Sequence, residues 1–142
     1  PDDYYWCLDY QVTMFKFYPD EERTELVGVN WETDGVYTAS IAMSSDYRYI
    51  YYVFAAHGHA QRWGTPVVQY NTETGERKVI AFLAPYYHEK YGYIPGGTFG
   101  CELSGDDSLL VVHMNGKFAP WSDKSAYNNC GIFAIHIPES ER

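Results

Sequence analysis

Apolar and polar residues alternate in short runs along most of the chain, and the pattern is clearest between Tyr37 and Leu83. Four runs in this stretch are rich in aromatic and β-branched residues, which predicts β-strands at 37–43, 49–56, 65–70 and 77–83. Turn-forming residues separate the runs, including the Asn-Thr-Glu-Thr-Gly sequence at 71–75. This stretch therefore predicts four antiparallel strands joined in sequence.

The same pattern returns about sixty positions later. Residues 103–112 repeat the order of apolar run, Ser-x-Asp turn and apolar run that is found at 43–52. Further echoes of 67–80 lie at 12–27 and 132–140. A repeated four-stranded meander is the unit of a β-propeller. The fold is thus predicted to be all-β, with about two and a half consecutive four-stranded antiparallel blades of a larger ring: a partial blade at 11–31, a full blade at 37–83 and an incomplete blade at 98–137.

The alternation also predicts the register of the repeated strands. One set of side chains is expected to share one face of the sheets and to pack between blades, namely Ile50, Tyr52, Phe54, Leu110, Val112 and Met114. Tyr49, Tyr51 and Val53 are then expected on the other face. A slip of one residue would exchange the two sets.

Two segments resemble the blades of TolB-type, WD-repeat-like β-propellers. Ser-Ser-Asp-Tyr-Arg-Tyr-Ile-Tyr-Tyr at 44–52 and Ser-Gly-Asp-Asp-Ser-Leu-Leu-Val-Val at 104–112 are similar to the Ser-Pro-Asp-Gly turn and apolar run of those blades. Tyr-Asn-Thr-Glu-Thr-Gly-Glu at 70–76 is similar to the Asp-x-x-Thr-Gly-Glu turn that follows. The resemblance covers most of the chain from about residue 11. It implies a fold and not a function, because such blades occur in lyases, lactonases, peptidase accessory domains and binding scaffolds.

A propeller ring closes with about four to eight blades, which is more than this sequence supplies. A small β-sandwich is the alternative for a chain of 142 residues. We expect a propeller segment whose outer edges are covered by the remaining blades, from the same or another chain. The isolated 142-residue chain is accordingly predicted not to fold as a monomer.

Composition narrows the classes of partner. The net charge of −9 argues against nucleic-acid binding, which requires a basic surface, and no apolar run is long enough to span a membrane. Three widely spaced cysteines favour buried free thiols over one disulfide. Fifteen tyrosines exceed what a core needs and are typical of sugar-binding and protein-binding surfaces. The sequence does not decide the compartment and slightly favours an extracellular or periplasmic one.

Connections of two lengths alternate along the predicted meander. The long joins, at 57–64, 84–97 and 115–129, are expected at one end of the blades, and the tight turns at the other. The join at 84–97 is predicted to be an irregular loop because of Pro85 and Pro95, the first ten residues a loop or a strand end, and the residues from Pro138 a charged tail. The long-join end collects the candidate site residues His57, His59, Arg62, Trp63, Tyr86, Tyr87, His88, Tyr91, Tyr93, Lys117 and Trp121, with His113 nearby.

His57-Gly58-His59 is a candidate site for a divalent metal. In extended backbone both imidazoles point the same way, and His88 and His113 are the candidates for a third ligand. A pair of histidines with this spacing is also common in loops that make ordinary hydrogen bonds.

The same residues suggest a second chemistry. His57 or His59, with Tyr86 or Tyr87 and Arg62, supplies the base, acid and charge-neutralising group that β-elimination from a uronic acid requires. The resemblance makes this reading admissible, because several polysaccharide lyases are propellers. The alternative is that the aromatic loops simply pack over the blades.

A third hypothesis is that aromatic side chains in the long joins stack against a ligand. Trp63 and Trp121 occupy corresponding joins and are either platforms for a ligand such as a carbohydrate, together with His88 and Tyr91, or plugs between blades. The sequence as a whole predicts a ligand-binding or partner-binding propeller segment that works through its long-join end. A carbohydrate-active enzyme, either a polysaccharide lyase or metal-dependent, is the alternative.

Overall fold

The computed structural model describes residues 3–9, 13–29, 38–53, 60–118 and 129–142. They form three antiparallel β-sheets, as the predicted all-β fold requires. The strands are β1 (Tyr5–Leu8), β2 (Thr13–Tyr18), β3 (Arg23–Val29), β4 (Ile41–Met43), β5 (Tyr49–Val53), β6 (Pro66–Asn71), β7 (Arg77–Phe82), β8 (Tyr93–Leu103), β9 (Leu109–Phe118) and β10 (Asn129–His136).

Each sheet is a meander in which a strand pairs with the next strand in the chain. The first sheet has the order β1-β2-β3, the second β4-β5-β6-β7 and the third β10-β9-β8. The four runs predicted between residues 37 and 83 thus form one four-stranded sheet. Its strands are shorter than predicted, since β4 begins at Ile41 and the described part of β5 ends at Val53.

The second sheet lies between the other two. Its Ile50, Tyr52 and Val68 pack in one cluster with Met14 of the first sheet. Its Tyr51 and Val53 pack in another cluster with strand β9 of the third sheet, whose buried residues there are Leu110, Val112 and Met114. Side chains alternate along a strand, so the two clusters lie on opposite faces of β5.

The predicted register is confirmed for the residues that the structure describes. Ile50 and Tyr52 face the preceding sheet, and so do their counterparts Leu110 and Val112 sixty positions later. The burial of Tyr51 was not predicted, and it occurs because the third sheet covers the other face of β5. Phe54 lies outside the described residues.

The prediction that 84–97 is an irregular loop was wrong. Residues Leu83–Tyr91 form a nine-residue helix, α1. Pro85 is the third residue of this helix, and the first turn tolerates proline because its N–H groups have no intrahelical partner. Gly92 ends the helix in the left-handed conformation, with φ 64°, and its N–H donates to the carbonyl oxygen of His88 at 2.9 Å.

Pro95 is also accommodated in regular structure. It lies in β8, which begins at Tyr93 and not at Thr98 as predicted. This strand is at the edge of the third sheet, where a residue without an N–H is tolerated. The pairing with β9 shifts register between Pro95 and Gly97, as at a β-bulge.

The two ends of the chain are more ordered than the sequence indicates. Residues in the first ten form β1, paired with β2. The predicted charged tail is instead docked, ending in a 3-10 helix at Glu139–Glu141. Its Glu141 carbonyl oxygen accepts hydrogen bonds from Tyr51 Oη and Gln69 Nε2 of the second sheet, both at 2.7 Å.

The three cysteines are free, as predicted, but only Cys101 is buried. Burial raises the pKa of its thiol to about 12. Cys7 is half-buried and Cys130 is exposed. In the parts of the chain described here, no helix has the length and apolar character to cross a membrane.

Candidate functional site

The described portions of the long joins lie together at one end of the second and third sheets. The N–H groups of Leu83 and Ala84 donate to the carbonyl oxygens of Thr65 and Gly64 at 3.1 and 3.0 Å. Thr65 Oγ1 donates to the carbonyl oxygen of Pro95 at 2.7 Å. These bonds connect the residues after the 3-10 segment Ala60–Trp63, the start of α1 and the start of β8. The described parts of the joins at 57–64 and 84–97 therefore share an end, as expected, whereas residues 119–128 of the third join lie outside the described residues.

Helix α1 is fixed on the sheets by its first turn and by one aromatic ring. Leu83 and Ala84 are buried. The ring of Tyr87 meets the ring of Phe133 on β10 edge to face, with 4.5 Å between centroids and an interplanar angle of 74°. Partial burial raises the pKa of Tyr87. Its ring therefore anchors α1 on the third sheet.

The other side of α1 is exposed and aromatic. Phe82, just before the helix, and Tyr86 and Tyr91 within it are 53–54% exposed. His88 and Lys90 are exposed beside them. We call these five residues the aromatic surface of α1.

Lys90 holds the rings of this surface together. Its Nζ donates a hydrogen bond to Tyr86 Oη at 3.0 Å and lies 5.3 and 5.2 Å from the ring centroids of Tyr86 and Tyr91. The hydrogen bond to Tyr86 is the main cause of the raised pKa of Lys90. The ring of Tyr91 also stacks on Tyr87 at 5.8 Å. The result is an exposed set of rings with restricted geometry and one fixed positive charge.

The opposite end of the sheets carries the tight turns. In the turn after β4, Ser44 Oγ donates to Asp46 Oδ1 at 2.7 Å, and in the turn after β8 Ser104 Oγ donates to Asp106 Oδ1 at the same distance. These bonds lower the pKa of both aspartates. The two turns touch, because Asp107 Oδ2 accepts from the N–H of Ser45 at 2.9 Å. Both aspartates are thus used in turn formation, as the sequence indicates.

Three predicted site residues, His57, His59 and Trp121, lie outside the described residues. Their metal-binding, catalytic and stacking roles stay predictions. Arg62 is exposed in the 3-10 segment Ala60–Trp63. Trp63 is half-buried and packs against the cluster that contains Ile50 and Tyr52, which is the position of a plug between sheets.

Tyr93 and Lys117 were expected on the exposed end, and the structure buries both. Tyr93 Oη donates to the carbonyl oxygen of Asn129 at 3.2 Å, and burial raises its pKa to about 12. His113 is exposed, but it alternates with Val112 and so lies on the face of the third sheet that is turned away from the second. Helix α1 packs on Phe133, which shares the face of Val112. The structure therefore does not bring His113 into the aromatic surface of α1.

Among the described residues, no three His, Cys, Asp or Glu side chains are grouped as metal ligands would be. Of the two candidate third ligands, His88 lies on α1 at the long-join end. A metal site that His88 would share with His57 and His59 stays a prediction. The described part of the long-join end presents exposed aromatic rings together with Arg62, His88 and Lys90.

No protein-family model matches the chain, and no curated protein gives a significant match. Solved structures do. The β-propeller domain of Myceliophteria thermophila Cps50 (Swd1) aligns with 97% of this chain and 38% of its own length, at 10% identity and a TM-score of 0.49. The Malassezia sympodialis allergen Mala s 1 aligns with 79% of the chain and 38% of its own length, at 11% identity and a TM-score of 0.54. A chain of a mitotic checkpoint complex aligns with 84% and 44%, at 12% identity and 0.41.

These likenesses concern the fold alone, given the low identities. Three stacked antiparallel meanders are the arrangement of consecutive, partial propeller blades. The chain spans about two-fifths of the length of the structures it resembles.

Two features of the site were missed by the sequence reasoning. The first is that residues 83–91 are helical, although the Pro at the third position and the Gly after Tyr91 are the ordinary signals for a short helix. The second is the pair of aromatic residues in β1, Tyr5 and Trp6. Tyr5 and Trp6 alternate there as in a strand, but the run of four residues is too short to stand out.

Proposed function

We propose that this propeller segment binds a protein partner through the aromatic surface of α1. The proposal rests on the exposure of three large rings: Phe82, just before α1, and Tyr86 and Tyr91 within it. Core contacts hold this helix in place. Exposed aromatic groups of this kind cost free energy in water and are enriched at the centres of protein interfaces.

The composition of the surface suits a protein better than a charged small molecule. Tyrosine gives contact area and a hydrogen-bonding hydroxyl at low entropic cost, and binding hot spots are rich in it. Lys90 adds a positive charge that is restrained by Tyr86 and Tyr91, so little conformational entropy is lost when an acidic partner group approaches it.

We also propose that further blades, from the same or another chain, cover the two outer faces of the stack. On the first sheet Tyr5, Phe17 and Leu26 are exposed on the face turned away from the second sheet. On the third sheet Leu109 and Ile132 are exposed on the corresponding outer face. Two uncovered apolar sheet faces favour association, and a monodisperse, cooperatively unfolding monomer of residues 1–142 in sedimentation and circular dichroism would contradict this proposal.

Site-specific photocrosslinking tests the role of α1. A photoreactive phenylalanine analogue replaces Tyr86, and in a matched control it replaces Thr74, which is exposed in the turn at the other end. In cells that make the protein, we expect crosslinked protein adducts at position 86 and few at position 74. The double variant Tyr86→Ala/Tyr91→Ala should then lose the partner, by about tenfold or more in affinity.

Equal crosslinking at positions 86 and 74 would contradict the proposal. So would a partner that the intact protein and the double variant retain equally. Adducts that contain saccharide and no protein would replace it with the carbohydrate-binding alternative.

A further inference from the structure

A cleft of about 900 Å³ opens between the first and second sheets at the tight-turn end, far from the aromatic surface of α1. One wall is the start of β1 with the two residues before it, and another is β4 with the turn that follows. The lining residues are Asp3, Tyr4, Tyr5, Trp6, Pro19, Asp20, Ile41, Met43, Asp46 and Tyr47. The proposed function does not use this cleft.

Two strand edges border the cleft. In the described part of the chain, β1 pairs with β2 on one side only, and β4 pairs with β5 on one side only. Each edge therefore presents backbone N–H and C=O groups without a strand partner. An edge of this kind accepts an extended peptide as an additional strand, with alternate side chains entering the neighbouring pockets.

The aromatic lining is suited to a positively charged side chain. The Nζ atom of Lys16 already lies 4.8 Å from the ring centroid of Tyr4 and 5.1 Å from that of Trp6. The rings at this edge therefore already lie against one ammonium group, that of Lys16. Tyr47, 65% exposed, leaves further ring surface open to the cleft.

The acidic residues that line the cleft also favour a positively charged ligand. Asp3, Asp20 and Asp46 line the cleft, and no Lys or Arg is among its lining residues. Asp46 is partly engaged, since Arg48 Nε lies 3.2 Å from its Oδ2. Asp3 and Asp20 make no ion pair with the described residues, so their carboxylates are available to an incoming cation.

We propose that this cleft binds an extended, basic segment of a partner polypeptide, which adds to the edge of β1 as a fourth strand. Its backbone pairs with Trp6 and Leu8, whose N–H and C=O groups face away from β2. Its apolar side chains contact Ile41 and Met43, and its Lys or Arg side chains contact the aromatic rings and the carboxylates of Asp3 and Asp20. The first sheet then has four strands, as the second has. This interaction is independent of the partner proposed for α1.

Synthetic peptides test the proposal in the intact protein. The parent probe is the fluorescent hexapeptide Lys-Val-Lys-Val-Lys-Val, about 20 Å long when extended. Its acidic counterpart has Glu in place of Lys. Two further probes carry N-methyl groups on the Lys amides or on the Val amides, which removes alternate backbone donors. We expect the basic peptide to bind at least about tenfold more tightly than the acidic one, and one N-methylated probe to bind about fivefold more weakly than the parent.

Variants locate the binding. Asp3→Asn/Asp20→Asn is expected to weaken the basic peptide about threefold to tenfold, whereas Glu73→Gln/Glu76→Gln, on the exposed turn between β6 and β7, leaves it unchanged. Equal effects of the two variants, equal binding of the acidic peptide, or no binding at about 1 mM would overturn the proposal. If both N-methylated probes bind as well as the parent, the cleft is a site for an ammonium group alone, and strand addition is wrong.

Discussion

Strands β5 and β9 occupy equivalent places in two repeated sheets, yet they are buried differently. In β5, Ile50, Tyr51, Tyr52 and Val53 are all fully buried. In β9 burial alternates, because Leu110, Val112 and Met114 are buried while Leu109 and His113 are exposed. Both strands begin with a run of four apolar residues, and they differ in the number of described sheets that cover them.

The number of faces that a strand buries is therefore set by the position of its sheet in the stack. The alternation of apolar and polar residues along the strand does not set it. A sheet with a neighbour on each side is buried on both faces, whereas a sheet at the end of the stack keeps one face exposed. Exposed apolar residues on these outer faces, such as Ile132 and Leu26, indicate where further structure is expected to pack.

The largest expected difference in the free energy of unfolding is between alanine variants of two isoleucines. Ile50 is fully buried between the first and second sheets, and Ile132 is 73% exposed on the outer face of the third. Ile50→Ala should lower the free energy of unfolding by about 2–5 kcal/mol, because it removes buried methyl groups and leaves a cavity. Ile132→Ala should change it by no more than about 0.5 kcal/mol. Denaturant titration measures both, and a comparable loss for Ile132→Ala would mean that its face is covered.

A pair of glycines gives the next largest effect. A Cβ on Gly116 would lie far inside van der Waals contact with the backbone oxygen of Ile94 and the ring of Tyr93. Gly116→Ala should therefore cost about 1–3 kcal/mol, since β8 and β9 must move apart. Gly105, in the tight turn, has nothing within 4 Å of the same position. Thermal unfolding of both variants checks this, and equal melting temperatures would contradict the close approach of β8 to β9.

A hydroxyl deletion tests the docked C-terminal segment. Tyr51 Oη donates to the carbonyl oxygen of Glu141 and accepts a hydrogen bond from Gln69 Nε2 at 3.1 Å. Tyr51→Phe should cost about 1–2 kcal/mol, because buried hydrogen-bonding groups lose a partner. Tyr47→Phe, at an exposed ring, should be within about 0.5 kcal/mol of the parent. The same comparison by hydrogen exchange should show faster exchange of the amides at 137–142 only in Tyr51→Phe.

The smallest expected effect concerns the two repeated Ser-x-Asp turns. It tests whether the aspartate of each turn stabilises the fold equally in the second and third sheets. Hydrogen bonds from serine lower the pKa of Asp46 in the second sheet and of Asp106 in the third. A lowered pKa in the folded state stabilises the fold above the unfolded pKa, near 4, and this stabilisation is lost as the pH falls through the folded value. Asp46→Asn and Asp106→Asn should both be less stable than the parent near neutral pH.

The two turn variants should also approach the stability of the parent in strong acid, where the parent carboxyl groups are protonated. Urea midpoints across the acid range measure this convergence. A pH dependence for one variant and not for the other would mean that the turns are not equivalent, and that the neighbouring sheet modifies one of them.

Much of the fold was readable from the sequence because it rests on local chemistry. The turns at 44–48 and 104–108 are specified by Ser, Asp and the residues between them, and both form in the structure with the same hydrogen bonds. The alternation in β9 identified Leu110 and Val112 as buried. Helix α1 also has local signals in the sequence, a proline in its first turn and Gly92 directly after its last residue.

The candidate site was less accessible to prediction. Tyr86 and Tyr91 were named as site residues, and both are exposed on α1. Tyr93 and Lys117, named with them, are buried, because β8 and β9 extend further than their apolar runs indicated. Sequence spacing assigns a residue to an end of the molecule, and it does not decide whether a neighbouring strand covers it.

The sequence by itself determined the repeat, the antiparallel meander and the positions of the tight turns. Each of these depends on interactions among residues close together in the chain, so local composition is enough to specify them. The tertiary structure alone decided that both faces of β5 are buried, that residues 137–142 dock on Tyr51 and Gln69, and that β1 and β4 border a cleft. These features depend on contacts between residues far apart in the chain, and their free energy arises only when whole sheets stack and exclude water.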